Sequence, residues 1–269
     1  MKIFNLIEKV RAKKPLVHHI TNYVTVNDCA NVTLGIGASP IMADANEEAA
    51  DIAGISQAVV LNMGTLNPRT ARSMLIAGKA ANLAGAPVVF DPVGAGASAY
   101  RNETAAALIS EVKFAVIRGN ISEIKYIAGL KSETKGVDAG EGDIDSADGQ
   151  NIAKSLAKRL DCVIAITGAT DIVSDGEKTA LIKNGHSMLA NLTGTGCMCT
   201  SLVGAFVGAS PRAPFEAAVC AVLSMGIAGE IAYEKAGELG NGSFRAALHD
   251  AISKLDAATL EKKAKLSEA

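Results

Sequence analysis

The chain has 269 residues, 49% of them hydrophobic, with a formal charge of −2, five cysteines and no tryptophan. That length suits one large α/β unit rather than two domains, and the near-neutral charge leaves no basic footprint for nucleic acid or an anionic membrane. An odd number of cysteines without an export signal points to reduced thiols and a cytoplasmic protein, and the scarcity of aromatic residues argues against base- or sugar-stacking surfaces.

The first residues, "MKIFNLIEKVRAKKP", carry charges through their apolar positions and offer no small-residue cleavage site, unlike a signal peptide. "QAVVLNMGTL" then predicts a strand leaving into a polar turn, and "NPRTARSMLIAGKAANLAG" predicts a helix. "GAPVVFDPVGAGAS" and "VKFAVIRGN" are the next predicted strands. Residues 131–150, "KSETKGVDAGEGDIDSADGQ", are polar, acidic and Gly-rich, the composition of a surface loop. "GQNIAKSLAKRL" predicts another helix, followed by strand-like "LDCVIAITGATDIVSDG" and "KTALIKNG". The most hydrophobic segment, Ala213 to Ala232, is interrupted by Glu216 and Glu230. No run reaches the roughly 18 uninterrupted apolar residues of a membrane span, so that segment is expected as a buried helix. The C-terminal "SKLDAATLEKKAKLSEA" has the pattern of a solvated helix.

The strand-like runs are nearly continuously apolar, as expected of mostly parallel strands buried on both faces, and their alternation with helices predicts a parallel-sheet α/β fold. Ligands in such folds lie beyond the carboxyl ends of the strands. Those ends carry Asn62 to Thr65, Asp91 to Gly94, Arg118 to Asn120, and Thr167 with Gly168, so polar and glycine residues recur where a ligand would lie.

"NLTGTGCMCTSLVGAFVG", from Asn191 to Gly208, runs from turn-forming residues into a small-residue apolar helix. Unpaired N–H groups and the dipole at a helix start suit a phosphate, and Gly194 and Gly196 let a backbone approach it closely. The same pattern also fits a tight strand-to-helix turn with no ligand. The chain contains no G-x-x-x-x-G-K-[ST] sequence, so a Walker-type loop is excluded, and the turn comes too late for a Rossmann fingerprint. Cys197 falls in the first helical turn, where the dipole lowers a thiol pKa and a thiolate could accept a proton from an attacking hydroxyl. Cys197 and Cys199 lack the ligand set of a zinc site and the spacing of a redox pair. Cys29, Cys162, Cys199 and Cys220 are expected as buried structural thiols.

The segments "PLVHHITNYVTVNDCANVTLGIGASPIMADANEE", "LNMGTL", "DPVGAGAS", "IRGNISEI", "AITGATDIVSDG" and "LTGTGCM", in this order, resemble the hydroxyethylthiazole kinases of the ribokinase-like superfamily. The resemblance runs from about Pro15 to Gly242. It implies one ribokinase-like domain over residues 1–269: a central, mainly parallel sheet flanked by helices on both faces, without a separate lid domain. It also implies transfer of the γ-phosphoryl of ATP, with Mg²⁺, to the alcohol of 4-methyl-5-(2-hydroxyethyl)thiazole in thiamine biosynthesis or salvage, by a homotrimer with active sites between subunits.

Carried over residue by residue, Gly194, Thr195, Gly196 and Cys197 form the anion hole. Cys197 stands where many ribokinase-like relatives have an aspartate base, and it takes a helping role because phosphoryl transfer depends mostly on positioning and charge stabilisation. Arg118 and Thr167 match nucleotide contacts. Met42 and Gly64 match the thiazole pocket, together with Gly194 and Asn22. Asp91 and Glu123 are the candidates for orienting Mg²⁺ through water, with capping of a helix or loop as the alternative for both. Taken alone, Met42 would be ordinary core packing. His18 and His19 are expected to be structural. The rival readings are a hydroxymethylpyrimidine kinase, a nicotinamide-nucleotide hydrate dehydratase, or a catalytically silent thiazole- or nucleotide-binding protein.

Overall fold

Short apolar strands between capped helices set the architecture, which the computed structural model describes for residues 3–130 and 146–268. The first half comprises α1 (Leu6–Lys13), β1 (Leu16–Ile20), α2 (Val26–Ile36), β2 (Ser39–Met42), α3 (Ala49–Ile55) and β3 (Ala58–Asn62). It continues with α4 (Pro68–Ala84), β4 (Val88–Asp91), α5 (Ala99–Glu111), β5 (Val116–Gly119) and α6 (Ile121–Ile127). After α7 (Ser146–Leu160) come three strands, β6 (Val163–Ile166), β7 (Asp171–Ser174) and β8 (Thr179–Ile182). The chain then forms α8 (Thr195–Ala209), α9 (Pro214–Ala236), α10 (Asn241–Lys254), α11 (Ala257–Lys263) and β9 (Leu266–Glu268).

The strands form one nine-stranded sheet in the order β2-β1-β3-β4-β5-β6-β7-β8-β9. Pairings from β2 through β6 are parallel, each joined by a helical crossover, as a parallel pair requires. Only four residues, 167–170, separate β6 from β7, too few for a crossover, so this pair turns back as a hairpin. The β7–β8 and β8–β9 pairs are antiparallel as well.

Alternate residues of the inner strands feed two cores, which is why these strands are apolar throughout. Val60 and Val89 point into a cluster with Val32, Leu202, Phe206, Val219 and Phe244, contributed by α2, α8, α9 and α10. Val59, Leu61, Val88 and Phe90 point the other way, onto Met74, Ala77, Leu108, Ile124 and Leu156 of α4 to α7. Successive strands from β1 first step one way to β2 and then the other way to β3, so the sheet has a topological switch beside β1, the expected place for a ligand crevice.

Local chemistry sets the helix starts. Asn67 and Thr70 form a capping box on α4 with Pro68 in its first turn, and Asn120 and Glu123 form one on α6. Helix α9 is long and apolar enough to cross a membrane, yet 78% of its most apolar window is buried, so it is a core helix.

Three expectations change. The C-terminal stretch is not one solvated helix: α10 ends at Lys254, α11 is short, and β9 adds a strand to the sheet edge. The end of the acidic loop is helical, since α7 already begins at Ser146; residues 131–145 lie outside the described residues. The run from Leu160 to Gly176 is a hairpin of two strands, not one.

Candidate active site

Four parallel strands deliver polar groups at their carboxyl ends. Asn62 ends β3 and Asp91 ends β4, and the parallel register places them side by side. The Asn62 amide nitrogen donates to Asp91 Oδ2 at 2.9 Å and to Cys197 Sγ at 3.3 Å. Its oxygen accepts from Asn22 Nδ2 at 3.0 Å and from the Gly64 amide at 2.9 Å. Asn22 Nδ2 also reaches Cys197 Sγ at 3.4 Å, and Asn22 Oδ1 accepts from the Thr25 amide and hydroxyl. One hydrogen-bonded net therefore links the exit of β1, the exit of β3, the Asp91 carboxylate and the thiol at the start of α8.

The turn into α8 closes over this net. Gly194 is left-handed (φ 88°), and a Cβ there would lie 2.3 Å from Thr25 Cγ2, so both conformation and space demand glycine. A Cβ on Gly196 would meet Arg118 Nη1 at 2.7 Å, which puts the guanidinium directly against the turn. No side chain caps α8, and its first backbone bond runs from Met198 N to Gly194 O. The amides of Thr195, Gly196 and Cys197 come before that bond and have no intrahelical acceptor. A cation and three amides converging on one turn make a geometry for phosphate.

Arg118, on β5, is anchored by Thr167 Oγ1, to which Nη2 donates, and its Nη1 lies 3.7 Å from Asp91 Oδ2. Asp91 is fully buried; Thr200 Oγ1 donates to Oδ2 at 2.7 Å, while Oδ1 has no partner among the described residues. Burial pushes the Asp91 carboxyl up, against the opposing pull of Arg118, Thr200 and Asn62. Glu123 accepts the Gly94 amide on one oxygen and the Asn120 amide on the other, both at 2.8 Å. Burial and the nearby Asp91 raise its carboxyl to about 7.

The Cys197 thiol does not follow the expectation from helix position alone. Burial and Asp91 push it above the ordinary thiol range, and donors from Thr25, Asn62 and Asn22 only partly oppose them. Cys29, Cys162, Cys199 and Cys220 are buried, leaving Cys197 as the partly accessible thiol, and all five cysteines are unpaired.

The predicted residues Asn22, Gly64, Asp91, Arg118, Thr167, Gly194, Thr195, Gly196 and Cys197 thus meet around one turn, with Glu123 behind it. Met42 stands apart from the net, at the carboxyl end of edge strand β2, level with His19 and 36% exposed. His18 bonds Ala43 O at 2.6 Å and His19 faces Thr33. Burial lowers both rings, His19 to about 3, which suits structural neutral imidazoles. Sequence reasoning gave no role to Asn62, Thr25, Thr200 or Asp171. For Asn62 the available signal was one polar residue ending a wholly apolar strand.

The hydroxyethylthiazole kinase family model matches residues 7–258. Hydroxyethylthiazole kinases of Ruminiclostridium cellulolyticum and Clostridium beijerinckii are each 59% identical to this chain, covering 99% and 100% of it and 97% and 98% of their own lengths. A solved structure of hydroxyethylthiazole kinase protein from Pyrococcus horikoshii OT3 superposes with a TM-score of 0.90 at 38% identity, covering 100% of both chains. A pyridoxal kinase from Staphylococcus aureus, solved with AMP-PCP and pyridoxal, shares the fold at a TM-score of 0.61 and 14% identity, covering 81% of this chain and 88% of its own. The chain is a kinase of ribokinase-like fold and belongs to the hydroxyethylthiazole kinase family.

Proposed function

We propose that this protein phosphorylates the alcohol of 4-methyl-5-(2-hydroxyethyl)thiazole from ATP, supplying thiazole phosphate for thiamine synthesis. The observation that carries the reading is the uncapped start of α8 with the Arg118 guanidinium pressed against it and the Cys197 thiol on its first turn. The amides of Thr195 to Cys197 hold the equatorial oxygens of the migrating phosphoryl group, and Arg118 with Thr167 holds the adjoining phosphates. The acceptor hydroxyl lies beside Cys197, near Asn22 and Gly64, with Met42 flanking the ring. Attack forms the new P–O bond as the bond to ADP breaks, and the hydroxyl proton passes late in transfer to the Cys197 sulfur in its thiolate form; the resulting thiol later releases that proton to solvent.

The residues present fit a hydrated Mg²⁺. Asp91 Oδ1 is buried and has no partner among the described residues, whereas both Glu123 oxygens are already engaged in holding the Gly94 turn and Asn120. When bound, the ion neutralises charge on the polyphosphate; Asp91 would hold it through water. The single continuous sheet supports one kinase domain without a separate lid. Tyr23 (78% exposed), Val24, Val26 and Met42 leave apolar surface around the ends of β1 and β2, next to Asn22. A second copy of the chain covers that edge in the homotrimer we favour, and the five free thiols suit the cytoplasm.

The test is incubation with ATP, Mg²⁺ and hydroxyethylthiazole, followed by mass analysis. Thiazole phosphate with stoichiometric ADP is expected. ADP without phosphorylated thiazole would indicate another acceptor or dehydratase chemistry, and thiazole binding without turnover would indicate a silent binding protein.

A further inference from the structure

The twelve residues that connect β8 to α8, 183–194, contain no strand and only one short 3-10 turn, Ser187–Asn191. Something else must hold Gly194 in register with Thr25 and Arg118. At the start of this connection lies Asn184, 5% exposed, with its side chain fully used. Its Nδ2 donates to Glu230 Oε1 at 3.1 Å and to Lys263 O at 2.9 Å, and its Oδ1 accepts the Lys265 amide at 2.7 Å. Glu230, on α9, gathers two more donors on the same oxygen, the Gly185 amide at 3.1 Å and Lys265 Nζ at 2.9 Å. Lys265 enters β9, whose pairing with β8 is extended by Lys183 N donating to Lys265 O.

Small residues on α9 let this connection lie flat. A Cβ on Gly226 would meet the Asn184 carbonyl oxygen at 2.8 Å, and one on Gly229 would meet Leu189 at 2.7 Å. From there the path to the turn is short, because Thr195 Oγ1 donates to Leu189 O at 3.1 Å. Bonds from Asn184 to Glu230, packing of neighbouring Gly229 on Leu189, and the bond from Thr195 to Leu189 thus run from the C-terminal strand to the amides over Arg118.

We propose that Asn184 and Glu230 are positioning residues, an anchor tying the C-terminal strand to the phosphate-holding turn and fixing where its amides point. This rests on the reading of that turn as a phosphate site. Loss of the anchor loosens the turn, while Asn22, Asn62 and Thr25 on the acceptor side stay held from β1 and β3.

The experiment compares wild type with Asn184→Ala, Glu230→Ala, Glu230→Gln, Lys265→Ala and Gly194→Ala, measuring affinity for a non-hydrolysable ATP analogue by calorimetry, KM for each substrate, and Tm. Asn184→Ala and Glu230→Ala should weaken binding of the analogue and raise KM for ATP about tenfold while KM for the thiazole stays within about twofold. Glu230→Gln retains a carbonyl acceptor for Asn184 and Gly185 and should restore most of the affinity. Lys265→Ala leaves the backbone pairing intact and should give a smaller shift of the same sign, which keeps the test open if the alanine variants at 184 and 230 do not fold. A fall in Tm with unchanged analogue affinity and an unchanged KM ratio would overturn the anchor. So would weak analogue binding in Gly194→Ala beside normal binding in Asn184→Ala and Glu230→Ala. If Gly194→Ala also binds the analogue normally, the phosphate turn itself is refuted, and the anchor with it.

Discussion

Asn62 gives Cys197 and Asp91 a shared donor, and the consequence is a thiol held as an acceptor within a crowded acidic pocket. Because burial and Asp91 keep this thiol above its ordinary range, the thiolate is the minor form at neutral pH. Turnover should therefore climb as pH rises toward the thiol's ionisation. Cys197→Asp should move that climb to lower pH and keep or raise turnover at pH 7, whereas Cys197→Ser should lower it about tenfold or more with thiazole binding largely preserved. Steady-state pH profiles of the three proteins decide this; a folded, inactive Cys197→Asp enzyme would remove the base role. Asp171 supplies a test of electrostatics that does not require substrate. Burial raises its carboxyl to about 7, against the opposing pull of the Gly168 amide, which it accepts at 2.9 Å, and of Arg118. An acid whose folded pKa is raised imposes no cost below the unfolded value near 4; the cost accrues as pH rises and is complete above about 7. Asp171→Asn keeps the acceptor oxygen and removes the charge. It should leave stability at pH 4 nearly unchanged and add about 1–3 kcal/mol at pH 8, measured by urea melts. Equal effects at both pH values would contradict the raised carboxyl.

Helix α8 is the element on which the site depends, and it lies very close to the sheet. A Cβ on Gly204 would come within 2.5 Å of Val60 Cγ2, and one on Gly208 would lie 3.2 Å from Ala58 Cβ. Gly204→Val should therefore cost about 2–3 kcal/mol by overpacking and, by lifting the helix start, weaken binding of a non-hydrolysable ATP analogue; urea melts and calorimetry measure both. Native-like stability would mean that the seat is looser than the contacts imply. Elements differed in how far they could be read from the chain alone. The strand exits at Asp91, Arg118 and Thr167 were legible because fully apolar runs ending in one polar or glycine residue have few other meanings. The net joining Asn62 to Cys197 was not, because it depends on β3 and β4 pairing in register and on α8 returning over them from 135 residues away. Strand β9 was hidden for a different reason. Its three residues show no alternation of their own, and it exists as a strand because the β8 edge and Asn184 supply partners for Lys265 and Leu266. The helical composition before it, Ala257–Lys263, extended the helix pattern past its true end.

At the scale of the whole molecule, the proposed function divides the sheet into two regions. In that reading β1 and β3 present Asn22 and Asn62 to the acceptor, Asp91 at the end of β4 stands between the two, and β5 onward, with the C-terminal strand, presents Arg118, Thr167 and the turn to the nucleotide. Three exposed apolar residues, Tyr23, Val24 and Val26, lie on the acceptor side next to Asn22, so copies assembled over them would complete the thiazole pocket rather than the phosphate site. Light scattering should give three times the 27.5 kDa chain mass. Tyr23→Asp should shift the population toward smaller species and raise KM for the thiazole more than KM for ATP. A monomeric wild type with full activity would refute that arrangement. The central claim concerns a single corner of the fold, and a crystal structure with a non-hydrolysable ATP analogue, Mg²⁺ and hydroxyethylthiazole tests it most directly. The account predicts the terminal phosphate within hydrogen-bonding distance of the amides of Thr195, Gly196 and Cys197, with the alcohol between that phosphate and the Cys197 sulfur. A terminal phosphate bound elsewhere, with those amides turned to other acceptors, would contradict it.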